Sequence, residues 1–257
     1  MEAFDPEPAR ADPAATACGA SPERAAARLE RAHADADART LLARVLSGGL
    51  LGRTALVSSF GADSAVLLHL VAQIDPATPV LFVDSGKLFD ETLAYRDRLV
   101  DELGLTAVRT VGPSPAALAR GDPAGARHAH DPDGCCGLRK VAPLAAALDG
   151  FDAWLTGRRR HQAATRARLA RFETDAGGRI KLNPLADWSA ADAEAYRARH
   201  RLPRHPLVDH GYASIGCAPC TTPVAPGEDP RAGRWRHHGK TECGLHLDGG
   251  RLVRGGG

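Results

Sequence analysis

Four cysteines fall in two tight pairs: Cys135-Cys136 inside Gly134–Lys140 (GCCGLRK), and Cys217-Ala218-Pro219-Cys220, which begins 81 positions after Cys136. Four thiolates drawn from two segments make a donor set for a tetrahedral zinc ion or for an iron-sulfur cluster. If the guest is a single small ion, adjacent ligands such as Cys135 and Cys136 must both turn toward one centre. A cuboidal cluster presents separate corners and tolerates the adjacency better. The residue chemistry thus favours a cluster and leaves zinc open. Cys243 stands alone in Lys240–His246 (KTECGLH), close to a glycine-rich end and to several histidines. A lone thiol beside basic groups on a polar tail is a candidate nucleophile. Cys18 lies in a proline- and alanine-rich stretch and reads as a bystander.

A second chemistry is anion binding. Ser58-Ser59-Phe60-Gly61-Ala62-Asp63-Ser64 follows a short apolar run and opens a helical pattern, so backbone N–H groups and hydroxyls converge at a positive helix end. The loop has neither the lysine of a Walker motif nor the glycine spacing of a dinucleotide fold. The next apolar run ends in Asp84-Ser85-Gly86. Guanidinium and ammonium groups able to grip a multiply charged oxyanion occur at Arg139, Lys140, Arg158 to Arg160, Arg166, Arg231 and Arg234.

These groups need a scaffold. Residues 1–22 are small, polar and broken by proline, and read as a disordered leader. Glu23 to Leu46 has the alanine-rich, charge-studded texture of one or more helices, ended by Gly48-Gly49. Strands are expected at 54–58, 79–83, 107–111, 152–156 and 180–185, with helices at 62–74 and 89–103. Ser189 and Asp192 form a capping box that opens a further helix running to about His200. Strands alternating with helices predict an α/β fold with a doubly wound, mostly parallel sheet, whose ligands sit at the carboxyl ends of the strands. After Arg201 the periodic apolar pattern stops. The chain therefore divides into the leader, an α/β nucleotide-binding domain over 23–210, and a cysteine-bearing C-terminal segment over 211–257 that something other than hydrocarbon must hold.

Taken together, the Ser58–Ser64 loop, Asp84-Ser85-Gly86-Lys87-Leu88-Phe89, the Cys-Cys-x-x-Arg-Lys and Cys-x-x-Cys pairs and Glu242-Cys243-Gly244-Leu245-His246 resemble the thioredoxin-dependent sulfonucleotide reductases of the PP-loop superfamily, specifically the adenylyl-sulfate branch. The resemblance spans roughly residues 50–247. It implies a 4Fe-4S cluster on Cys135, Cys136, Cys217 and Cys220, with Cys243 as the catalytic residue. Substrate binding is implied for Ser58, Ser59, Phe60, Gly61, Asp84, Ser85, Gly86, Lys140, Arg166, Arg231, Arg234 and His246. The substrate would be adenosine 5'-phosphosulfate, reduced to sulfite and AMP through an S-sulfonated Cys243, with thioredoxin or glutaredoxin as external reductant. Ser85 stands where the family usually has threonine and keeps the hydroxyl; Arg158 adds a charge that the family pattern does not explain.

Composition bounds the alternatives. Thirty-three Lys and Arg against 31 Asp and Glu leave a formal charge of +2, so no bulk polycation is available for nucleic acid. That weighs against a tRNA-thiolating member of the superfamily. A zinc-stabilised nucleotide-binding module and a reductase of the 3'-phosphorylated substrate are the other readings. No apolar run approaches the ~18 residues of a membrane helix, and reduced thiols suit the cytoplasm.

Overall fold

The computed structural model describes residues 21–236, 238, 240 and 242–244. Cys18, His246 and nearly all of the expected leader lie outside the described residues. Ser21 caps helix α1 (Pro22–Ala32) by accepting the Arg24 N–H, so the helix takes in the last residue assigned to the leader. Helix α2 (Ala38–Leu46) follows, capped by Asp37.

The alternation then runs β1 (Thr54–Ser58), α3 (Ser64–Ala72), β2 (Val80–Val83), α4 (Asp90–Leu103) and β3 (Val108–Val111). Three short helices come next: α5 (Pro115–Gly121), α6 (Pro132–Cys136) and α7 (Ala142–Ala147), with a π-type turn over Gly137–Val141 joining the last two. Strands β4 (Ala153–Leu155), β5 (Phe172–Thr174) and β6 (Ile180–Leu182) precede α8 (Ala190–Arg199). The expected capping box is formed in full, Ser189 and Asp192 each bonding the other's backbone N–H.

Among the described residues the strands make one six-stranded sheet in the order β3-β2-β1-β4-β6-β5. All pairings are parallel except β5 with β6. This is the doubly wound, mostly parallel sheet that the periodicity implies. Successive residues of β2 alternate between its two faces. Val80 and Phe82 join the larger core with α2, α3 and α4, while Leu81 and Val83 join a smaller one with Leu144 and Leu148. Burial on both faces is what produces near-continuous apolar strands.

The sheet differs from expectation at its far edge. β5 was not foreseen, because Phe-Glu-Thr is too short and polar to carry a period. β6 stops at Leu182, three residues early, where the Asn183 side chain donates to the Ala170 carbonyl and Glu173 and accepts from Thr156. Arg171 ties this edge to the end of α1 through the carbonyls of His33, Ala34 and Ala36.

Candidate active site at the sheet switch point

From β1 the chain builds the sheet toward β2 and β3, whereas β4 lies on β1's other side. The crevice at this reversal is where open α/β sheets bind ligands. A cavity of about 710 Å³ opens there, walled by Ser58, Ser59 and Gly61 after β1 and by Thr156 to Arg159 after β4. Lys140, Arg166, Arg231, Arg234, Glu242 and Cys243 line it as well.

The β1 loop is shaped around Phe60, whose φ of +48° is left-handed. That conformation costs roughly 1–2 kcal/mol for a residue with a Cβ. Burial of the ring, edge-on to Phe82 at 5.3 Å, offsets it. Ser58 Oγ accepts the Phe60 N–H at 3.1 Å and sets the turn. Phe60 therefore belongs to the core, and its side chain is not among those that line the cavity.

Asp84, Ser85 and Gly86 make the turn that follows β2. Asp84 accepts the Gly86 N–H at 2.8 Å in a tight turn, with Gly86 at φ +68°. Ser85 is fully buried, and its Oγ lies 3.0 Å from Cys217 Sγ. Its carbonyl accepts from Arg139, whose guanidinium forms a buried pair with Asp122 at 2.7 Å. None of the three lines the large cavity. The β2 loop braces the cysteines instead.

The two cysteine pairs do meet. Cys135, Cys136, Cys217 and Cys220 line one small recess with Ser85, Lys140, Arg234 and Trp235. Cys135 and Cys136 end α6, where the π-type turn that follows brings Lys140 onto the same side. The Cys217 segment is anchored by a bridge to Leu88 and by the Ala218 N–H donating to the Lys87 carbonyl at 2.8 Å. Among the described residues no group of three or more His, Cys, Asp or Glu side chains is arranged to hold a metal ion. Burial raises the Cys135 and Cys220 thiols.

Cys243 reaches this recess from the tail. It hydrogen-bonds Cys136, and that bond, with burial, raises the Cys136 thiol. Burial alone would lower the Lys140 ammonium, but the thiols of Cys243, Cys217 and Cys136 outweigh it and raise the group. Lys140 thus stands between the cysteine recess and the large cavity, lining both. Arg234 is half-buried beside the same thiols, and its Nε has no hydrogen-bond partner among the described residues. Its guanidinium stacks 4.4 Å from the Trp235 ring.

The remaining basic groups divide sharply. Arg158 pairs with Glu173 and donates to Asn183, which ties the end of β4 to the β5 edge. Arg159 pairs with Asp63 across the cavity mouth, and Arg160 with Asp187. Arg166 makes a two-point bond to Glu242, from Nε at 2.7 Å and Nη2 at 2.8 Å; Arg231 adds a contact at 3.3 Å. Burial pushes Arg231 down to about 10 despite that carboxylate. Burial would raise Glu242, but the bond from Arg166 and the charges of Arg166 and Arg231 hold it below the usual range. Lys240 pairs with Asp133 at the start of α6 and lies over Trp235.

Sequence reasoning did not single out Glu242, Asp133 or Trp235. Glu242 had a visible signal, an acid directly beside the expected nucleophile in a segment crowded with arginines.

This fold and this switch-point cavity define an adenine-nucleotide-type PP-loop α/β protein. The chain belongs to the phosphoadenosine phosphosulfate reductase domain family, which it matches over residues 53–223. It is 57% identical over 195 residues to the adenosine 5'-phosphosulfate reductase of Mesorhizobium japonicum, covering 76% of each chain. Identity to the protein of the same name from a Chelativorans species is 54% over 198 residues, covering 77% of this chain and 80% of that one. The crystal structure of phosphoadenylyl-sulfate reductase from Candida auris in its phosphate complex superposes with a TM-score of 0.65 at 25% identity, over 77% of this chain and 96% of the other.

Proposed function

We propose that the chain reduces adenosine 5'-phosphosulfate to sulfite and AMP, with Cys243 as nucleophile and reduced thioredoxin as the electron source. The observation that carries this reading is the position of Cys243, at the wall of the switch-point cavity with Lys140 beside it and Arg234 nearby. A sulfate–phosphate anhydride seated on the β1 loop would present its sulfur to that thiol.

In the first step the Cys243 thiolate attacks sulfur, the Sγ–S bond forms, and the bond from sulfur to the bridging oxygen breaks. The electron pair leaves on the phosphate of AMP. Lys140 and Arg234 are placed to stabilise the charge that gathers there, in a site where burial strengthens each interaction. In the second step a thioredoxin thiolate attacks Cys243 Sγ and sulfite departs with the bonding pair. The second thioredoxin thiol then resolves the mixed disulfide and restores Cys243. Two thiols become a disulfide as sulfur(VI) becomes sulfur(IV), so electrons balance.

Cys135, Cys136, Cys217 and Cys220 are the residues that would hold a 4Fe-4S cluster, which would supply a fixed anionic body beside Lys140. The donor set fits in residue type, being four thiols from two segments that line one recess. A thioredoxin reductant and thiols kept reduced would suit a cytoplasmic setting. Among the described residues no helix is long and apolar enough to cross a membrane.

The test is anaerobic turnover of adenosine 5'-phosphosulfate, with and without its 3'-phosphate, using reduced thioredoxin. Sulfite release from the unphosphorylated substrate, lost by at least about 10³-fold in Cys243→Ser, supports the reading. Preference for the 3'-phosphorylated substrate would move the assignment to the activity named for the Candida auris protein. Release by neither route would sink it.

A further inference from the structure

We propose that His128 donates a hydrogen bond from Nδ1 to a sulfur of the cluster held by Cys135, Cys136, Cys217 and Cys220, and so sets how firmly that cluster is kept. This rests on the reading of the cysteine recess as an iron-sulfur site and deepens it. His128 belongs to none of the motifs that mark the chain.

A rigid frame delivers the ring. His128 is the middle residue of a single 3₁₀ turn, Arg127–Ala129, that comes just before α6. Arg127 fixes this turn from both sides. Its backbone N–H donates to Asp122 at 2.9 Å, and its guanidinium meets one Asp131 oxygen from Nε at 2.9 Å and from Nη2 at 2.7 Å. Asp131 in turn opens α6, its side chain accepting the Gly134 N–H at 2.8 Å and its carbonyl the Cys135 N–H at 2.9 Å. Asp122 also receives the Arg139 guanidinium at 2.7 Å. The turn that carries His128 and the helix that carries Cys135 and Cys136 therefore form one hydrogen-bonded unit, and the ring keeps its place relative to the thiols.

The imidazole lines the recess together with all four cysteines. Its Nδ1 is closed to solvent and has no hydrogen-bond partner among the described residues. Arg234 Nε and Trp235 Nε1 are in the same condition, and both of those residues line the same recess. Buried polar nitrogens are ordinarily satisfied, because a hydrogen bond given up to water and not remade is costly. Three such nitrogens around one small space point to a guest that accepts hydrogen bonds on several sides. A cluster offers that surface, since its thiolate and sulfide sulfurs only accept. Facing them, Nδ1 must be the protonated nitrogen of the ring. A hydrogen bond to a sulfur draws charge off the cluster and is one of the levers by which a protein tunes it. Lys87 and Lys140 line the recess too, so the surroundings suit an anionic guest.

The experiment uses full-length, iron-loaded protein: wild type, His128→Leu and His128→Asn. Asparagine can place an amide N–H near the position of Nδ1, whereas leucine fills space without a donor. Three quantities are read: iron per chain, the Fe–S stretching bands by resonance Raman, and the rate of iron release to a chelator without oxygen. His128→Leu should keep the iron content, shift the stretching bands and release iron about 10-fold faster, the weight of one hydrogen bond to a charged acceptor. His128→Asn should return both properties most of the way to wild type. Unmodified enzyme labelled with nitrogen-15 histidine provides a readout that needs no variant to fold: one Nδ1–H resonance should be displaced by the irons and vanish from its shifted position when iron is removed. If His128→Leu matches wild type in bands and release rate, or no labelled histidine senses the irons, the ring is only packing and the proposal falls alone. If His128→Asn is altered as much as His128→Leu, lost volume explains the effect and the proposal falls as well. Lower iron content in both variants would make the imidazole a ligand and not a donor, which also overturns it. Wild-type protein that takes up zinc but no iron-sulfur cluster overturns the reading of the recess itself, and the role of His128 with it.

Discussion

From Thr54 to Leu182 the strands bury hydrocarbon on both faces of the sheet, and the side chains of α2, α3, α4, α7 and α8 close over it. From Pro203 onward no described residue joins either core cluster. Ile215 and Trp235 are buried, but beside thiols and guanidinium groups. The C-terminal segment is attached by the bridge Leu88–Cys217, by Ser85 against Cys217, and by the ion pairs of Glu242 and Lys240, and the bridge Thr221–Arg234 closes it on itself. One region is secured by non-directional burial, the other by directional contacts between a few polar atoms. The first carries the fixed β1 loop. The second suits the role proposed for Cys243, which needs the thiol held in place for one step and released for the next.

The sharpest way to break this comparison is to remove one thiol of the recess. Cys220→Ser should abolish iron binding and open residues 211–236 to limited proteolysis, while hydrogen exchange in β1, β2 and β4 stays at the wild-type level. If the strands lost protection in parallel, the two regions would be one cooperative unit and the contrast would be false.

The complementary cut is in the sheet. Leu155 is fully buried in β4, one residue before the cavity wall begins. Leu155→Ala should cost about 2–5 kcal/mol of global stability, read from urea unfolding, as for other core truncations. The iron absorbance per folded molecule should not change. A loss of cluster at full fold would mean that sheet packing reaches the recess.

The same contrast governs what could be read from sequence. β1 matches its expected span of 54–58 and β2 nearly so, because buried parallel strands announce themselves as apolar runs. The Ser189 cap was legible because its spacing is its mechanism. The cysteines were legible by residue type alone. The arginines were not: Arg158, Arg159 and Arg160 looked like candidates for an anion, and the structure gives each an acidic partner 15 to 96 positions away in sequence. Pairing across such separations follows from topology, which composition does not encode. Ser85 was ambiguous for a related reason, since a hydroxyl after a strand end suits a phosphate as well as it suits Cys217 Sγ. Glu242 was passed over because an acid beside an anion site looks out of place until its arginines are seen.

A gentler probe lies where the two regions join. His205 is fully buried just before the turn at Pro206–His210 and packs on Tyr95 of α4. Its Nδ1 accepts the Leu207 N–H at 3.2 Å, which makes Nε2 the protonated nitrogen that donates to Thr92 at 2.9 Å. Burial pushes the imidazole down from 6.5 to about 4, with nearby Glu91 opposing. Between those values the unfolded chain binds a proton that the folded chain refuses, so stability rises with pH across the window. The contribution is complete above about pH 6.5 and drains away as pH falls toward 4. His205→Asn keeps an acceptor for Leu207 without a titrating ring. It should remove this part of the acid slope in thermal unfolding. The iron spectrum should hold across the same range in the variant, since the titration acts on the joint and not on the thiol recess; an unchanged slope would place the acid sensitivity elsewhere.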